Sequence, residues 1–69
     1  MGLVSDLDIY RAASALIERH GDAAPLEAAM RADKMLAAGD MNGKTVWLRI
    51  LRATEEILRQ RPINGEGTH

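Results

Sequence analysis

The chain has no cysteine and no phenylalanine, one tryptophan, one tyrosine and two prolines in 69 residues. Without cysteine there is neither a disulfide framework nor a thiolate metal site. Long apolar runs are missing as well, since no stretch approaches the ~20 residues that span a bilayer. The opening MGLVSDLD lacks the basic start and apolar run of a secretory signal. Asp6 stands where an acylation pattern beginning Met-Gly requires Ser or Thr. Charge of one sign is also in short supply. Nine Lys and Arg against ten Asp and Glu leave a net charge of -1, so the overall attraction that gathers a protein onto nucleic acid or anionic lipid is absent. A soluble, cytoplasmic protein is expected, with one domain and a thin core.

What is present is helical periodicity, punctuated by glycine. Ile9, Tyr10, Ala13, Leu16, Ile17 and His20 recur every three or four residues and predict a first helix over 6–20. Ser5 or Asp6 serves as its N-cap, Asp8 favours the positive end of the dipole, and Gly21 closes it in a left-handed conformation. Asp22 restarts the pattern, either as N-cap itself or as the turn before Pro25, whose fixed φ suits a first helical turn. The second helix is expected over 23–38. Its inward side is read as Leu26, Ala29, Met30, Leu36 and Ala37, with Glu27, Arg31 and Lys34 facing water and Glu27 paired to Arg31. Gly39 ends it, and Asp40 caps a third helix over 41–60 whose face is Val46, Trp47, Ile50, Ala53, Thr54 and Ile57. Pro62 disfavours continuation. The fold class expected is all-α, a compact three-helix bundle over 1–61 followed by a flexible tail at 62–69.

Three stretches carry residues capable of chemistry. His20, between Glu18 and Asp22, has the residue type of an acid/base group or metal ligand. However, Glu18 points elsewhere on the helix and Asp22 is required as a cap, so a histidine packed against the last carbonyls is expected. The only other histidine is His69, in the tail. GDMNGK, from Gly39 to Lys44, fails as a calcium loop: counted from Asp40, glycine comes fourth rather than sixth, and position twelve is Leu51. It also lacks the strand and first glycine of a phosphate loop, so helix capping is its expected role. Trp47 falls on the apolar stripe and reads as a core anchor. No catalytic residue, cofactor or metal is expected, and the chain is read as a non-enzyme.

Two surfaces of the third helix remain. Leu48, Leu51 and Leu58 widen its apolar arc beyond what a thin core covers, which predicts a partner surface for a homodimer or another protein. The alternative is that Leu7, Tyr10 and Ile17 of the first helix cover them. Arg49, Arg52 and Arg59 gather on another side and are the candidate phosphate contacts of a small nucleic-acid-binding regulator with a helix-turn-helix-like frame. Glu55 and Glu56 interrupt them, so nucleic acid is the second reading.

The punctuation Arg19-His20-Gly21-Asp22 with Ala24-Pro25, then Ala38-Gly39-Asp40, Gly43, Trp47 and Ile50, resembles a family of short bacterial helical proteins of unknown function. The resemblance covers roughly Asp8 to Leu58. It implies a small, helical, cytoplasmic protein, and it brings no reaction and no catalytic residue with it.

Overall fold

The computed structural model describes residues 5–60. Among them every element is helical: α1 (Asp6–His20), a single 3-10 turn (Gly21–Ala23), α2 (Ala24–Ala37) and α3 (Met41–Gln60). The tail expected at 62–69 lies outside the described residues.

Local chemistry places each end. Ser5 Oγ accepts the Asp8 amide at 3.1 Å, and the Asp8 carboxylate accepts the Ser5 amide at 3.4 Å. This reciprocal capping box satisfies two amides that a helix start leaves unpaired. At the other end the Gly21 amide donates to the Ile17 carbonyl, and Gly21 sits at φ 59°, ψ -133°, so the helix cannot run on through it. Asp22 is not the cap of α2. Ala23 holds that position without a side-chain hydrogen bond, and the 3-10 turn satisfies the Ala24 amide through the Gly21 carbonyl. The start of α2 is set by Pro25 in its first turn, where a missing amide costs nothing.

The second joint is built differently. Gly39, at φ 79°, donates to the Leu36 carbonyl at 3.0 Å, and Asp40 donates to the Met35 carbonyl at 2.8 Å. These are the paired bonds of a Schellman closure. Asp40 then caps α3 as expected, its Oδ1 accepting the Gly43 amide at 2.8 Å. A Cβ at Gly43 would lie 2.7 Å from Met35 Sδ and 2.8 Å from Asp40 Oδ2. The bare α-carbon lets the cap and the Met35 side chain close over it.

Ile9, Ala13 and Leu16 of α1, Ala24, Ala28 and Ala32 of α2, and Ile50 and Thr54 of α3 are buried. α3 packs most extensively on α2, less on α1, and α1 touches α2 least. The buried alanines of α2, four residues apart, share one face of the helix and turn it toward the core. Met35 beside Gly43 and Arg31 over Trp47 mark α2 and α3 as antiparallel. Thr54 is the bulkiest wholly enclosed side chain among the described residues, and its hydroxyl donates to the Leu51 carbonyl at 2.6 Å.

The face of α2 is opposite to the expected one. Leu26 is 63% exposed, Met30 48% and Leu36 49%, and Ala37 is exposed too, while the alanine stripe points inward. Both sides of this helix are apolar, and the broad face of α3, with Trp47 and Ile50, fits against the smaller side chains. On α1, Tyr10 and His20 are exposed rather than inward. The face of α3 is as expected: Ile50 and Thr54 are buried, and Val46, Trp47, Ala53 and Ile57 pack half-buried around the core.

Candidate functional site

His20 lies at the end of α1, exposed to solvent instead of packed. No group of three or more His, Asp or Glu poised to hold a metal ion occurs among the described residues. Of the residues flanking it, Asp22 stays in the 3-10 turn and Glu18 is exposed on the helix.

A shallow groove of about 260 Å³ opens between α2 and α3, lined by Glu27, Arg31, Lys34, Met35 and Trp47. Arg31 Nε donates to Glu27 Oε2 at 2.8 Å, one helical turn away. The same guanidinium lies over the Trp47 ring, 5.1 Å from its centroid, a cation–π arrangement. Arg31 therefore does not simply face water, because it lies over the face of the indole. The Glu27 carboxyl is held below its ordinary value, first by the hydrogen bond from Arg31, which outweighs an opposing desolvation, and then by the charges of Arg31, His20 and Lys34. The groove's lining holds no histidine and no hydroxyl or thiol side chain. At its rim the Arg31 guanidinium shields the Trp47 ring. The Glu27–Arg31 pair was legible from a spacing of four, but the stacking on Trp47 was not, since it joins residues from two helices.

The expected partner surface is partly open. Leu48 is 39% exposed, whereas Leu51 packs half-buried against the core and Leu58 is half-buried. Leu7 and Tyr10 stay exposed. The outer face of α2, with Leu26, Met30 and Leu36, is a second apolar surface that the periodicity placed inside.

The three arginines named as phosphate contacts are exposed, but two are engaged. Arg49 Nη2 donates to Asp6 Oδ1 at 2.7 Å, which ties α3 to the first turn of α1. Arg59 Nη1 donates to Glu56 Oε1 at 3.0 Å. Arg52 has no such partner among the described residues. No helix among them is long and apolar enough to cross a membrane. Compared with protein-family models, curated proteins and solved structures, the chain finds no match.

Proposed function

We propose that the protein is a non-enzymatic helical interaction module that associates with a second copy of itself through the leucine-bearing side of α3. The three helical pieces act in this reading as one three-helix bundle, in a cytoplasmic protein of the kind its Gly-Asp punctuation resembles. The observation that carries the proposal is the disposition of apolar size. Among the described residues, three of the eight buried positions are the alanines of α2 and a fourth is Ala13, while large side chains stand outside on α2 and at Met41 and Leu48 of α3. Small domains with thin cores commonly gain stability by covering such surface against a partner. The engagement of Arg49 and Arg59 with carboxylates weighs against the phosphate-binding reading, because the paired carboxylates offset the positive charge that a phosphate would meet.

Sedimentation equilibrium tests the proposal. A concentration-dependent dimer is expected, and Leu51→Asp, which puts a charge in the middle of the leucine side, is expected to shift it to monomer. A chain that stays monomeric at every concentration overturns self-association. A salt-dependent mobility shift with duplex DNA or RNA would favour the second reading instead.

A further inference from the structure

On α3, Met41, Lys44, Leu48, Leu51, Glu55 and Leu58 succeed one another at alternating intervals of three and four residues. That is the spacing of a coiled-coil seam. These positions form one stripe along the helix, to the side of the arc buried through Ile50 and Thr54. Met41, Leu48 and Glu55 are exposed, and Lys44, Leu51 and Leu58 are half-buried. Neither Lys44 nor Glu55 takes part in an ion pair among the described residues.

Reversed end for end against a copy of itself, the stripe is self-complementary. Setting Leu48 opposite the partner's Leu51 brings Met41 opposite the partner's Leu58 and Lys44 opposite the partner's Glu55. Two-fold symmetry then forms each pairing a second time. Every apolar residue meets an apolar one, and each charge meets its opposite. Other arrangements do not achieve this. Parallel pairing sets Lys44 against its own copy and Glu55 against its own copy. Sliding the antiparallel pair by one heptad sets Glu55 against a leucine in one direction and Lys44 against a leucine in the other.

We propose that this stripe is the interface of an antiparallel α3–α3 homodimer in the Leu48–Leu51 register. The inference rests on the self-association reading above and gives it a geometry. The Lys44 and Glu55 pairings specify direction and register, since like-charge contacts oppose the wrong arrangements. The apolar pairings supply the burial.

The full chain, Lys44→Glu, Glu55→Lys and the double variant are compared by sedimentation equilibrium, with helicity checked by circular dichroism. Each single reversal is expected to weaken dimerisation at least about tenfold, because it creates two like-charge contacts across the two-fold axis. The double variant is expected to regain the original affinity. Residues 44 and 55 lie about 16 Å apart along one helix, so that recovery has no explanation within a single chain. As a second measurement, the absence of cysteine allows Met41→Cys and Leu58→Cys chains to be mixed under oxidation. A mixed disulfide is expected in preference to either symmetric one. A dimer indifferent to the charge reversals, or one with no preference for the mixed disulfide, overturns the register and leaves self-association standing. A monomeric parent chain overturns both.

Discussion

The dipeptide Gly-Asp occurs at both joints of the chain, at Gly21-Asp22 and Gly39-Asp40, and folds in two different ways. At the second joint the glycine completes a Schellman closure and the aspartate caps the next helix. At the first, the glycine leaves helical space at ψ -133°, the aspartate lies inside a 3-10 turn, and backbone groups replace the missing side-chain cap. The difference originates downstream. Pro25 fixes where α2 begins, so the cap position falls on Ala23, whereas nothing between Asp40 and Gly43 displaces the start of α3. Identical residues therefore hold different energies at the two joints.

The largest test of this contrast lies at the glycines. No neighbouring atom would touch a Cβ at either Gly21 or Gly39, so any cost of substitution is conformational rather than steric. Gly21 approaches a region that is essentially closed to other residues, and Gly21→Ala is expected to destabilise by about 2–3 kcal/mol. Asparagine should be no better there. Gly39 occupies the left-handed position of its closure, where alanine costs about 1–2 kcal/mol and asparagine is the accepted substitute. Urea denaturation of the four variants measures this. Equal losses for Gly21→Asn and Gly39→Asn would erase the distinction between the joints.

The aspartates provide a smaller and cleaner contrast. Asp40→Ala removes the acceptor of the Gly43 amide and is expected to cost about 1 kcal/mol. Asp22→Ala removes no cap and should fall within about 0.5 kcal/mol of the parent. Ser5→Ala, which opens the capping box of α1, calibrates the scale at about 1 kcal/mol. If Asp22→Ala proves as damaging as Asp40→Ala, the 3-10 turn does not describe the first joint in solution.

The same contrast explains what could be read from the chain before its structure. Features that depend on a few consecutive residues were legible: the cap at Ser5, the closure at Gly39, the cap at Asp40, and the broad face of α3 centred on Ile50 and Thr54. The inward side of α2 was not. Its two faces are both apolar, so a period of 3.6 is satisfied by Leu26, Met30 and Ala37 as well as by Ala24, Ala28 and Ala32. Choosing between them requires the partner helix, since α3 presents large side chains that fit a shallow surface. Of the candidate partner surface, Leu48 is open, but the half-burial of Leu51 and Leu58 depends on tertiary packing that the helix alone does not show. Arg31 was read as facing water because one helix alone does not reveal that Trp47 lies beneath its guanidinium.

The smallest effect concerns acid. Glu27, in the first turn of α2, takes part in the charge stabilisation of the helix start that lacks a side-chain cap. Its carboxyl is lowered from the ordinary value of 4.5, first by the hydrogen bond from Arg31. A carboxyl more acidic in the folded state than in the unfolded one stabilises the fold above its unfolded value, and that contribution disappears as pH falls through the folded value. Stability measured by urea at pH 7 and again below 4.5 should therefore decline more for the parent chain than for Glu27→Gln, once losses common to both are subtracted. Raised salt should shrink the difference, because the pair is partly open to solvent. If Glu27→Gln follows the parent curve throughout, the Arg31 guanidinium is held by the Trp47 ring alone, and α2 starts on Pro25 and the 3-10 turn without help from charge.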